Sequence, residues 1–170
     1  YKDKNNNWVS LDELVVRDGK KYLKKDNSEI IKIGPSESMS KSKKNTIDPE
    51  KIIERFGADS VRLFILSDSP PEKDVQWSDE GMNSSYKFIQ KLWVLNQRII
   101  DEIKANYPSN SDNSIEKITN KFIKDVTDNI DNFAYNKIIA NFHEMYSSLN
   151  KIISNTVGKE RLIENYKKIL

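Results

Sequence analysis

The second half of the sequence, from Asp79 onward, repeats apolar side chains at helical spacing, which restricts it to packed α-helices. Residues 79–105 predict one long helix, and further helices are predicted over about 113–130, 135–153 and 159–170. Asn113 and Glu116 have the spacing of a capping box at the start of the second helix. The stripe of the first helix is predicted to consist of Met82, Tyr86, Ile89, Trp93, Ile100 and Ile103, widened by Phe88, Leu92, Leu95 and Ile99.

Short apolar runs in residues 8–33 predict a small antiparallel β region. The runs are Trp8-Val9, 14–16, 22–23 and 30–33, and Asp18-Gly19 between two of them is a hairpin signal. Two or three strands are only marginally stable alone, so the region should pack against something else. The predicted fold class is therefore mainly α, an antiparallel α-helical bundle preceded by a small β-hairpin region and a loop. A plain structural hairpin without further role is the alternative for residues 8–33.

The loop is predicted at residues 36–45, which read Ser-Glu-Ser-Met-Ser-Lys-Ser-Lys-Lys-Asn. This stretch has no apolar period of either regular structure. Asp48-Pro49 follows it as an N-cap and first helical residue. Lysines among small hydroxyl residues offer ammonium groups, hydroxyls and open backbone N–H groups, which suit a polyphosphate. A solvated connector is the alternative.

Residues 49–78 predict a compact linker of two short helices. The first should run from Pro49 to Phe56 with Gly57 as a left-handed C-cap. The second should run over 59–67 and end before Pro70-Pro71, because proline cannot continue a helix. Ser78 is expected to cap the long helix that follows, and Trp77 to pack rather than to bind. The side chains expected to be largely buried in the second helix are Val61, Leu63, Phe64, Ile65 and Leu66.

Composition and charge limit the function classes. The chain is 36% hydrophobic and 32% charged, has a net charge of +2 and contains no cysteine. It therefore reads as a soluble helical protein without disulfides or thiolate metal sites. No metal site is expected, since His143 is the only histidine; helix-edge hydrogen bonding is predicted for it. We expect no membrane span and no signal peptide, a cytoplasmic location and a monomer. The opening polar run suggests a piece of a longer protein.

Basic residues on the first long helix give a candidate nucleic-acid contact. Lys87, Lys91 and Arg98 are spaced by four and seven residues and can share one face, which could follow an RNA backbone. Solvated helix surface is the alternative for each of them.

Met39-Ser40-Lys41-Ser42 resembles the second signature loop of the class I aminoacyl-tRNA synthetases, Lys-Met-Ser-Lys-Ser. Ser38 stands where that family most often has its first lysine. The continuation over 42–49, followed by 55–62, resembles the leucyl-tRNA synthetases of the bacterial type. The resemblance covers nearly the whole chain and is most specific over residues 39–95. It implies the activation of leucine with ATP, accompanied by magnesium, and its transfer to tRNA(Leu).

The resemblance also implies roles for individual residues. Lys41 would be catalytic and stabilise the leaving pyrophosphate, and Met39, Ser40, Lys41 and Ser42 would bind ATP. Residues 1–35 would be a small β insert, 36–48 the signature loop, 49–78 a stem-contact linker, and 79–170 a truncated bundle of the anticodon-binding type. The first signature, His-Ile-Gly-His, is absent, so the chain alone is expected to be inactive and to bind no ATP stably.

Three alternatives remain open at this point. A synthetase for valine, isoleucine or methionine shares the loop, although residues 67–74 and the hairpin favour leucine. A non-enzymatic RNA-binding module and a helical protein-interaction domain are the other two. Only an RNA binder should lose tRNA affinity as salt rises.

Overall fold

A computed structural model describes residues 1–27, 32–105, 113–153 and 157–169. The chain divides into two compact units, Tyr1–Glu54 and Arg55–Leu170. The finer division into four regions stays a prediction. The described elements confirm the mainly α fold class with a small hairpin. They are a 3₁₀ helix at Leu11–Glu13, strands β1 (Leu14–Arg17) and β2 (Lys20–Leu23), and helices α1 (Pro49–Phe56), α2 (Ala58–Asp68), α3 (Asp79–Ala105), α4 (Ser114–Asp131), α5 (Tyr135–Ile152) and α6 (Lys159–Ile169).

The hairpin of the first unit forms where Asp18-Gly19 predicted it. β1 and β2 pair antiparallel from Leu14 opposite Leu23 to Arg17 opposite Lys20. Asp18 and Gly19 connect them with φ values of 49° and 73°, as a two-residue turn with two left-handed residues requires. Leu14 is buried together with Val9 in a small core of this unit.

The outer strands predicted around the hairpin are reduced to single bridges. Within the described residues, Lys2 bridges Trp8 on one side and Lys32 on the other. Ile30 and Ile31, which were predicted to begin the last strand, lie outside the described residues. Sequence reasoning also missed the 3₁₀ helix at Leu11–Glu13, although Ser10 and Glu13 have cap-box spacing.

α1 and α2 occupy nearly the predicted ranges, with one correction at their junction. The backbone N–H of Glu50 donates to Asp48 Oδ1 at 3.1 Å, which confirms Asp48 as the cap of α1. The left-handed C-cap at Gly57 is wrong, because Gly57 has φ 78° and ψ 152°. α2 begins at the next residue, so Gly57 must take the extended ψ of an N-cap instead.

The burial predicted for α2 is also partly wrong. Phe64 is buried and Val61 and Leu63 are half-buried, whereas Ile65 and Leu66 are exposed. α2 packs against α3 and α5. Ser60 and Phe64 lie one turn apart on the same face of α2, and they are its buried residues. The predicted cap of α3 is confirmed, because Ser78 Oγ accepts a hydrogen bond from the Gly81 N–H at 3.1 Å.

α3 has the predicted length, but its buried stripe is rotated from the predicted one. Trp93 is 67% exposed, although it was predicted to lie in the stripe. Trp93 and Leu95 are two residues apart and therefore point to nearly opposite sides of the helix. Leu95 lies on the side that packs. The buried residues of α3 are Met82, Ser85, Phe88, Leu95 and Ile99.

The core of the second unit lies between α3, α4, α5 and α6. α4 packs against both α5 and α6. The capping box predicted at Asn113 is wrong, because its side chain makes no cap hydrogen bond and its Oδ1 accepts one from Arg161 Nη1 of α6. Residues 107–113, whose composition predicts a polar loop, fall largely outside the described residues. The core consists of Leu95, Ile99, Ile115, Phe122, Met145, Leu149, Ile153, Val157 and Leu162.

Candidate functional site

The signature-like loop of the first unit folds around Ser40. Its N–H donates to Asn45 Oδ1 at 2.8 Å, and Asn45 Nδ2 donates to the Ser38 carbonyl at 3.3 Å. The Lys43 N–H donates to the Ser40 carbonyl at 3.2 Å, and the hydroxyls of Ser40 and Ser42 lie 3.1 Å apart. Residues 40–44 therefore form a closed turn in which the hydroxyls of Ser40 and Ser42 are adjacent. Sequence reasoning did not single out Asn45, whose amide bridges both sides of the loop.

The three lysines of this turn differ in their partners. Lys43 Nζ lies 2.6 Å from Glu37 Oε2, and Lys44 Nζ lies 3.5 Å from Glu13 Oε2. Lys41 is exposed, and its ammonium group has no ion pair or hydrogen bond among the residues that the structure describes. Of the three charges, that of Lys41 is thus the one available to an incoming anion.

Both acidic partners carry their negative charge at neutral pH. The Lys43 ammonium group lowers the pKa of Glu37, chiefly by its hydrogen bond. The backbone N–H and hydroxyl of Ser10 lower the pKa of Glu13, with a smaller contribution from Lys44. The ionised forms are favoured because each carboxylate accepts hydrogen bonds.

Met39, the remaining residue predicted at the site, is 48% exposed. The structure thus brings Ser40 and Ser42 together and leaves Met39 at the surface. The ATP-binding role that the resemblance implies for Met39 stays a prediction.

The three candidate RNA contacts on α3 also differ in their exposure and in their partners. Lys87 and Lys91 are exposed. Arg98 is half-buried, and its Nη1 donates a hydrogen bond to Asn150 Oδ1 of α5. Its guanidinium group therefore takes part in helix packing, whereas the two lysines point to the surface.

His143 stacks on an aromatic ring, and the described residues offer it no side-chain hydrogen bond of the predicted helix-edge kind. The ring centroids of His143 and Phe88 are 3.7 Å apart with an interplanar angle of 24°. Partial burial lowers the pKa of His143, and the charge of Lys91 lowers it further. The neutral imidazole covers Phe88, which is consistent with a packing role.

In the ranges described, no three His, Cys, Asp or Glu side chains gather in a group that could hold a metal ion. None of the helices in the described ranges combines the length and apolar character that crossing a membrane requires.

Comparison with known proteins gives the relationship of the chain. Residues 27–78, which include the loop, match the family described as tRNA synthetases class I (I, L, M and V). Over 168 residues the chain is 39% identical to a leucine–tRNA ligase of Rickettsia bellii (strain RML369-C). The chain is related to one segment of the leucine–tRNA ligases. The resemblance predicted from the signature loop is thereby confirmed.

Further relatives agree, and they also show how much of such a protein the chain represents. A leucine–tRNA ligase of Orientia tsutsugamushi (strain Boryong) is 40% identical over 161 residues. The alignments cover 98% and 92% of this chain but 19% and 18% of the two ligases. The chain therefore spans about a fifth of the length of these curated relatives.

A solved structure shows the same fold. It is the ternary complex of Agrobacterium radiobacter K84 agnB2 LeuRS with tRNA and LeuAMS. The TM-score is 0.66 at 20% identity, over 77% of this chain and 18% of that chain.

Proposed function

We propose that this chain is a segment of a leucine–tRNA ligase, which activates leucine with ATP and transfers it to tRNA(Leu). The observation that carries the proposal is the exposed ammonium group of Lys41 in the signature-like turn, for which the described parts of the chain provide no ion pair or hydrogen bond. The relationship to leucine–tRNA ligases over 98% of the chain supports it.

The chemistry of leucine activation gives Lys41 the role of stabilising the leaving pyrophosphate. When leucine attacks the α-phosphate of ATP, negative charge grows on the oxygens of the departing pyrophosphate. A lysine brought close at that moment stabilises the transition state more than bound ATP. Lys43 and Lys44 would first have to leave their carboxylates, so they are weaker candidates for this role and for that of the missing lysine at Ser38.

The hydroxyl pair supports this assignment. Ser40 and Ser42 place two hydroxyls 3.1 Å apart beside Lys41, where they can donate to phosphate oxygens. Magnesium would accompany ATP through the phosphate oxygens, because a lysine-rich turn repels a cation. The sites for adenosine and leucine are assigned to the rest of the ligase, so the chain alone is expected to be inactive.

The second unit is proposed to contact tRNA through its surface lysines. Lys87 and Lys91 are exposed one turn apart on α3 and can both reach a phosphate backbone. Arg98 is a weaker candidate because of its hydrogen bond to Asn150. The neighbour of similar fold was solved with tRNA, which supports the class of partner.

The matched family also includes enzymes for isoleucine, methionine and valine, so the test must separate the amino acids. The full-length protein that contains this segment is assayed for pyrophosphate exchange with each of the four. Exchange that depends on leucine, and is at least about 100-fold weaker with the others at equal concentration, is expected; that ratio corresponds to about 2.7 kcal/mol. Preference for another amino acid would reassign the protein to a sibling enzyme. No exchange with any of them would leave an RNA-binding or protein-interaction module.

A further inference from the structure

We infer that Glu13 is a positioning residue for the signature-like turn, holding Lys44 so that Lys41 is presented at the opposite end of the same turn. The inference rests on the proposed function, and it gives the 3₁₀ helix at Leu11–Glu13 a role in leucine activation. All of the contacts lie within the first unit.

Glu13 is itself held firmly by its surroundings. Its carbonyl accepts a hydrogen bond from the Lys24 N–H at 2.8 Å, which joins it to the end of β2. Its Oε2 accepts from the N–H and the hydroxyl of Ser10 at 3.0 and 3.1 Å. The next residue, Leu14, is buried in the small core. The carboxylate is therefore oriented before any lysine reaches it.

Lys44 is the residue at which the turn closes. It has a φ of 49°, and its N–H donates to the Lys41 carbonyl at 3.1 Å. Its ammonium group meets Glu13 Oε2 at 3.5 Å across 31 positions of sequence. A left-handed conformation is unfavourable for a side chain of this kind, so the interactions of the turn have to maintain it.

A second ion pair joins the same 3₁₀ helix to α1, the helix that follows the loop. Lys51 Nζ of α1 lies 3.7 Å from Asp12 Oδ2. The two neighbouring acids thus contact the chain on both sides of residues 45–50. Loss of the Glu13 charge should let the turn sample more conformations, and Lys41 would then meet the phosphates in the productive geometry less often.

The expected size of the fall in kcat follows from the exposure of the ion pair between Lys44 and Glu13. The side chains of Lys44 and Glu13 are 50% and 39% exposed, so the pair is a surface interaction screened by water. Exposed pairs are weak, and a fall in kcat of about twofold to fivefold is expected when the pair is broken.

The test is a double-mutant cycle in the full-length ligase, with leucine-dependent pyrophosphate exchange as the assay. Glu13→Gln removes the charge but keeps an oxygen that can accept from Ser10, and Lys44→Met keeps most of the stem. Each is expected to lower kcat by about twofold to fivefold, with the KM for leucine and the Tm unchanged. The double variant should be no slower than the slower single one. Glu50→Gln, an exposed acid on α1, is the matched control.

Three results would contradict the role inferred for Glu13. An unchanged or higher kcat in Glu13→Gln, losses that multiply in the double variant, or a Tm that falls with kcat would overturn the inference. Lys41→Ala in the same series separates the two proposals. If it keeps the wild-type rate, the proposed role of the loop fails. If it is nearly inactive while Glu13→Gln is fully active, only the role of Glu13 fails.

Discussion

At the scale of single residues, the neighbours of a side chain decide what it can bind. Lys41, Lys43 and Lys44 are equivalent in sequence, and a cationic phosphate-binding loop could be predicted from them. Their partners could not, because Glu13 lies 31 positions before Lys44 and only the fold brings the two together. The same holds for Arg98, whose partner Asn150 is 52 positions away.

This distinction predicts different effects for the basic residues of α3. In the full-length protein that contains this segment, Lys87→Ala with Lys91→Ala is expected to reduce the slope of log affinity against log salt for the proposed partner, tRNA(Leu). Each lost phosphate contact should reduce it by about 0.7 to 0.9. The measurement is tRNA binding at several salt concentrations.

Lys104→Ala serves as the control, because Lys104 is exposed on the same helix and pairs with Asp101 at 3.8 Å. An unchanged salt slope in the double variant would contradict the proposed contact.

At the scale of elements, helix lengths were easier to predict than helix faces. α3 begins and ends where capping and period placed it, because Ser78 and the apolar spacing act locally. Its buried face could not be read reliably, since apolar residues occur on more than one side of it. Trp93 and Val94 are both exposed. Burial of a helix face depends on which other helices pack against it, and the helices that contact α3 include α2 and α6.

The close contact between α2 and α3 predicts that one added methyl group lowers the stability of the fold. A Cβ atom on Gly81 would lie 2.8 Å from Cε2 of Phe64, whose ring meets Trp77 edge to face at 5.4 Å. Gly81→Ala is therefore expected to lower the free energy of unfolding by about 1 to 2 kcal/mol, because overpacking exceeds the gain in helix propensity. Denaturant unfolding of the chain measures it.

Gly34→Ala is the control, because a Cβ atom there would meet none of the described residues within 4 Å. It should leave stability nearly unchanged. Equal stability of the two variants would show that Phe64 moves aside without cost.

At the scale of the whole molecule, the fold and the proposed activity follow from different features of the chain. The mainly α class and the hairpin followed from apolar periods and from Asp18-Gly19. The proposed activity depends on the signature loop and on relatives of which this chain covers about a fifth. No period or charge count in 170 residues could identify a substrate that is proposed to bind mostly outside this segment.

The most direct test of the proposed function compares Lys41→Ala with Lys43→Ala in leucine-dependent pyrophosphate exchange by the full-length protein that contains this segment. Lys41→Ala is expected to lower kcat by roughly 100-fold, about 2.7 kcal/mol of transition-state stabilisation, with the KM for leucine nearly unchanged. Lys43→Ala should cost less than about tenfold, because its charge is already paired with Glu37. Wild-type exchange by Lys41→Ala would contradict the central claim that this lysine acts on the leaving pyrophosphate.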